Sequence, residues 1–149
     1  LQNDIDLADA ILQNGGTALA ANDIIEAIAV PANTMILYAG FKVVTAMTGT
    51  TTDSAIHVGI TGTDVDIFAA SFDLDGASVG AITPPASLSN GVVTNVPAFT
   101  ASADTIDVEI ETSGGTITGG IIRVFAVCIL MDEVSQSSSA QEVDRDLLA

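Results

Sequence analysis

The chain has 149 residues, 48% of them hydrophobic, and sets nineteen carboxylates against three basic residues for a net charge of −16. That length suits one domain able to bury its own core, and the apolar content excludes a disordered acidic polymer. With only Lys42, Arg123 and Arg145 as cations, phosphate-driven binding to nucleic acid and adhesion to anionic membranes are excluded as function classes.

In chain order, Leu1–Asn14 is acidic and amphipathic, with Ile5, Leu7, Ile11 and Leu12 among Asp4, Asp6 and Asp9. It could form an arm, a short strand or one helical turn, and is set apart as an N-terminal arm (1–14), ended by Asn14-Gly15-Gly16. Ala-rich residues 17–22 follow, with room for a helical turn. Ile24–Val30 reads as a strand, and Pro31-Ala32-Asn33 as a turn in which proline pre-sets φ. Thr34–Thr45 is a second strand, with Gly40 as its expected bulge. After the loop at 48–52, Ser54–Thr61 alternates Ile56, Val58 and Ile60 against His57 and Gly59. Gly62-Thr63-Asp64 turns into an apolar strand around Phe68. Residues 71–90 form a long excursion with a short strand expected at Val79–Ile82, and Pro97 confines the next strand to an edge.

The pattern is strongest in the last third. Ile106, Val108 and Ile110 alternate with Asp107, Glu109 and Glu111, the period of a half-buried strand. Ser113-Gly114-Gly115 supplies a turn. Gly120–Met131 is then apolar on both faces: Ile121, Phe125, Val127, Ile129 and Met131 on one, Ile122, Val124, Ala126, Cys128 and Leu130 on the other, with Arg123 the one interruption. Such a strand needs cover on both sides. A sheet of the same domain can supply one cover; a neighbouring subunit is expected to supply the other. The expected interface is Ile121, Arg123, Phe125, Val127, Ile129 and Met131. The apolar run from Gly119 to Met131 is too short for a membrane-spanning helix of ~20 residues.

About eight strands separated by Gly, Pro, Asn and Thr turns predict an all-β, two-layer β-sandwich of jelly-roll or Greek-key type. The expected divisions are the arm (1–14), the sandwich (15–132) and a Ser- and Gln-rich polar tail (133–149).

Little in the sequence points to catalysis. His57 is the sole imidazole, and in a strand it points away from Ser54, so no nucleophile–base pair is implied. Cys128 is alone and reads as a structural thiol; one Cys and one His cannot build a zinc site. Asp64, Asp66, Asp73 and Asp75 are candidate calcium ligands, since a hard cation takes several oxygens, but Asp73–Gly76 lacks the remaining acids of an EF-hand loop. The same pairs could serve glycoside hydrolysis, yet the chain has no Trp and one Tyr to stack a sugar. The glycine pairs are followed by no Lys and open no helix, so they are turns and not a phosphate loop. No enzyme activity and no cofactor are expected.

Several segments taken together carry a resemblance: NGGTALAANDIIEAIAVPANTMILYAGFKVVTA, the TGTTT loop, HVGITGTDVDIF and the closing IIRVFAVCILMD. In this order they resemble small structural proteins of tailed bacteriophages from marine and cyanobacterial hosts, including capsid decoration (cement) proteins. The resemblance covers roughly residues 5–132. It implies a β-sandwich protomer, commonly a homotrimer, on the outer capsid surface of a virion, bridging capsomers of the major capsid protein. The arm or the tail would then reach onto a neighbour. The strong negative charge suits saline surroundings, where the screening length at 1 M salt is only ~3 Å. The alternative reading is a host-surface or glycan-binding module on a head fibre or tail, displaying residues 71–91. A further alternative is a subunit of a non-viral filament or surface layer.

Overall fold

The computed structural model describes residues 1–50, 54–83 and 97–131. The doubly apolar segment forms the strand Ile117–Leu130 (β8), which lies between the edge strand Gln2–Asp6 (β1) and the long strand Thr34–Gly49 (β3). A short strand, Ala98–Thr100 (β6), completes this first sheet in the order β1-β8-β3-β6. The half-buried strand Asp104–Ser113 (β7) sits between Ile24–Val30 (β2) and Ser54–Ile60 (β4). Asp64–Asp73 (β5) closes the second sheet, of order β2-β7-β4-β5.

All the strand pairings are antiparallel; besides β3 with β8 and β4 with β7, they join β1 to β8, β2 to β7, β3 to β6 and β4 to β5. Pairs nested in this way arise when one long hairpin is folded over into two sheets, and the result is the two-layer antiparallel sandwich that the turn spacing predicted. The layers hold a core of β-branched and aromatic side chains. Phe41, Ile36 and Val124 from the first sheet meet Ile56, Val58, Ile106 and Ile110 from the second, all fully buried. Phe41 and Phe72 pack edge to face at 4.7 Å, the geometry their ring quadrupoles favour.

Residues 1–14, expected as a separate arm, are built into this unit. β1 pairs with β8 from Gln2↔Phe125 to Asp6↔Ile121. Asp6 then caps a short helix, Leu7–Gln13 (α1), by accepting from the Ala8 N–H at 2.9 Å, and Leu7 is buried beneath it. The segment is therefore held by its own chain. Residues 17–22 contain no helix. The tail at 133–149 lies outside the described residues.

The phase of β3 also differs from expectation. The extra residue falls at Leu37, where the register with β8 passes from Ile36↔Cys128 to Tyr38↔Val127. Ile36, Ala39, Phe41 and Val43 consequently face the core, while Met35, Tyr38 and Lys42 face outward. Gly40 is needed for a different reason than a bulge: a Cβ there would collide with Thr83 Oγ1 and lie 2.9 Å from the Tyr38 hydroxyl. The turn before β3 places Asn33 at φ 56°, a left-handed conformation that asparagine tolerates.

The strand expected at Val79–Ile82 is a short stretch paired with the edge of β3. Gly80 N donates to Val43 O and Val43 N to Ala81 O, both at 2.8 Å. Thr83 N donates to Phe41 O at 3.0 Å. The Tyr38 hydroxyl donates to Thr83 O at 2.9 Å and secures the end of this stretch.

Candidate assembly face

Because β8 alternates across its sheet, its two apolar faces meet different fates. Ile122, Val124 and Ala126 point into the core and are buried. Ile121, Arg123, Phe125, Val127, Ile129 and Met131, the expected interface, share the other side; Ile121, Arg123 and Phe125 are half-buried and the last three exposed. No element of the described chain covers that side as the second sheet covers the first.

In register, the outer face of the first sheet is a grid of rows. One row runs Asp4–Arg123–Lys42–Ile82 across four adjacent chain segments. The next holds Gln2, Phe125 and Gly40, the next Val127 and Tyr38, and the last Ile129, Met35 and Phe99. Below this charged row the surface is apolar apart from Gln2 at the β1 edge. Phe99 is 56% exposed, Val127 53%, Ile129 46% and Met131 49%. Leu37 and Leu130 add to the same end of the sheet. Tyr38 and Phe125 pack against each other at 5.6 Å, which stiffens the centre of the patch. Exposed apolar side chains gathered on one face in this way point to an interaction site.

The charged row is ordered. Arg123 donates to Asp4 through Nε at 2.6 Å and Nη2 at 2.8 Å, a two-pronged ion pair. These hydrogen bonds hold the Asp4 carboxyl below the usual carboxylate range and push the Arg123 guanidinium further up. Lys42 stands on the other side of Arg123 and makes no ion pair among the described residues. Cys128, half-buried near this end, has a thiol pushed up by desolvation, so it is a poor nucleophile.

The second sheet presents the opposite character. Asp107, Glu109 and Glu111 lie on its outer side with Glu26 opposite Asp107 and His57 opposite Glu109. Asp107, expected to be exposed, is only 4% so, because the β4–β5 turn lies over it and the Thr61 N–H donates to its Oδ2 at 3.0 Å. His57 accepts from the Ser71 N–H at Nδ1 (3.1 Å) and turns Nε2 toward Glu111 at 3.7 Å. Ser54 is fully buried, so no serine–histidine pair forms.

The four candidate calcium ligands are not brought together. Asp64 and Asp66 begin β5, and Asp73 ends it, with Asp75 just beyond. The two pairs stand at opposite ends of β5, Asp64 opposite Ile60 and Asp73 opposite Ala55 of β4, roughly 17 Å apart at the usual strand rise. Each pair instead makes a local turn: Asp64 accepts from the Asp66 N–H at 3.4 Å and Asp73 from the Asp75 N–H at 2.8 Å. Among the described residues, no group of three or more His, Cys, Asp or Glu side chains is placed to hold a metal ion. The Asp66 carboxyl is raised, first by its hydrogen bond with Asp64, then by desolvation and the Asp64 charge. Of the excursion 71–91 offered as a host-binding loop, residues 84–91 lie outside the described residues.

The described residues thus form a two-layer antiparallel sandwich of eight strands with one largely apolar and one acidic outer sheet face. No protein-family model matches the chain, and no curated protein does. Among solved structures it is similar to a chain of the acidic stable capsid structure of Helicobacter pylori bacteriophage KHP30. The identity is 14% and the TM-score 0.47, over 87% of this chain and 91% of that one. A likeness of that degree carries no argument about what this chain does.

Proposed function

We propose that this protein is a non-enzymatic structural subunit that decorates the outer surface of a tailed-phage capsid. It acts there as a homotrimer that contacts the major capsid protein and bridges capsomers. One observation carries the reading: the outer face of the first sheet, with Phe99, Val127, Ile129 and Met131 about half exposed, is largely apolar and is covered by no element of the described residues. Its backbone is already fully committed to the β3 and β8 ladders. Clustered exposed apolar side chains of that kind are what an interaction surface presents.

The sequence resemblance supplies the kind of assembly, and the acidic second sheet suits a side turned toward solvent. A cement protein needs no chemistry of its own. Because it binds the assembled shell and not its dispersed parts, it stabilises the shell by mass action. Sedimentation equilibrium in high salt tests the oligomer: a species of three times the 15.0 kDa chain mass is expected. A monomer at micromolar concentration refutes it. Density maps of the virion test the location; finding the chain at fibre tips instead of on the shell refutes the capsid role.

A further inference from the structure

The apolar face and the charged row are set at fixed heights along β8, and this constrains how copies can meet. Resting on the homo-oligomer proposed above, we infer that copies associate about an axis parallel to β8, with Lys42 of one copy against Asp4 of the next. Rotation about such an axis leaves every residue at its own height. The rows of Phe125, Val127 and Ile129 in one copy then meet the same rows in another, and apolar surface covers apolar surface. The Asp4–Arg123–Lys42 row likewise meets itself.

Within that row the charges are unevenly placed. The acid lies on the β1 flank and the unpaired cation on the β3 flank, two strand spacings away. In any closed ring about this axis, the β3 flank of each copy turns toward the β1 flank of its neighbour. Lys42, which has no acid partner among the described residues of its own chain, is thereby brought to Asp4, with Asp6 one row above. Both described cations, Lys42 and Arg123, lie in this row, so the positive charge of the described surface is concentrated where the contact would form. A two-fold axis lying across the strands would instead set the charged row of one copy against apolar rows of the other or, if it passed through that row, Asp4 against Asp4 and Lys42 against Lys42, leaving charges unpaired or opposed. The ring is heterologous and closes on itself, and each contact repeats the same Lys42–Asp4 meeting.

The test is a disulfide that cannot form within one chain. In a Cys128→Ala background, Asp4→Cys and Lys42→Cys are combined. The two sites are about 10 Å apart across two strand spacings, too far for an internal bridge. Mild oxidation is expected to give covalent rings that survive denaturing, non-reducing electrophoresis, while each single-cysteine variant gives none. In a separate variant, Lys42→Glu should weaken association at least about fivefold at low salt and less at 1 M salt. If the wild-type protein is oligomeric but no ring is trapped and Lys42→Glu associates normally, the axis and its ion pair are wrong while the assembly reading stands. If the wild-type chain stays monomeric in high salt at micromolar concentration, both fall.

Discussion

Asp4 and Arg123 face each other directly across β1 and β8 and are joined by two hydrogen bonds of 2.6 and 2.8 Å, although 119 residues separate them. The pair ties the first strand to the last and holds the edge of the first sheet. Its contribution follows from the lowered Asp4 carboxyl: it is present above the unfolded carboxylate value and is lost as pH falls through the lower folded value. Both side chains are well exposed, so salt should weaken the effect. Carbon-detected NMR should show Asp4 titrating below the other exposed aspartates, and Arg123→Gln should return it toward them.

Asp66 should behave in the opposite sense. Its folded carboxyl is raised by Asp64, so the proton it holds favours the native state below the unfolded carboxylate value. That advantage is lost as pH rises through the higher folded value. At neutral pH the two carboxylates repel at the start of β5. Asp66→Asn should therefore melt above wild type near pH 7, with the difference shrinking in acid. Thermal melts across that range check it; an equal gap at every pH would count against the pairing.

Replacing Gly40 with Ala tests how the 77–83 stretch lies on β3. The added methyl would meet Thr83 Oγ1 and the Tyr38 hydroxyl. The Phe41 N–H to Thr83 Oγ1 hydrogen bond (3.0 Å) and the Tyr38–Thr83 contact cannot both survive it. A loss of about 1–3 kcal/mol is expected in chemical denaturation. Hydrogen exchange should also quicken at Gly80 and Thr83.

The two faces of β8 should separate stability from assembly. Ile122→Ala opens a void in the core and should cost about 2–5 kcal/mol. Val127→Asp sits on the outer face and should change protomer stability by no more than about 0.5 kcal/mol while abolishing association. Denaturation and sedimentation on both variants provide the check. A Val127→Asp protein that still assembles would remove the face from the interface.

Asp107 offers a test of the buried acid. It is nearly fully enclosed, and its Oδ2 satisfies the Thr61 N–H at the head of the β4–β5 turn. Asp107→Ala leaves that donor without its partner and should cost about 1–3 kcal/mol in denaturant. Asp107→Asn, which retains an acceptor, should cost less.

Much of this was legible in the residues themselves. Alternation at Ile106, Val108 and Ile110 determined both the β7 strand and its inward face, because a period of two leaves one choice when only one side is apolar. The turn residues likewise marked strand ends to within a few residues and predicted a sandwich of about eight strands, although β3 runs on from Thr45 to Gly49 and the Gly119-Gly120 pair, read as a turn, lies inside β8. Gly120–Met131 was equally clear as a strand and as one needing cover on both sides, yet its composition is alike on both faces and could not say which side its own domain takes. Tertiary structure decided that, since only the pairing of β8 with β3 and β1 sets Ile122, Val124 and Ala126 inward. It also decided that Gln2–Asp6 join the first sheet with a short helix after them, that β3 shifts phase at Leu37 and not at Gly40, and that the two aspartate pairs at the ends of β5 stay apart. Each depends on which distant segments become neighbours. Local periodicity holds no record of that, because one strand pattern is compatible with many partners and only burial of the whole core selects among them.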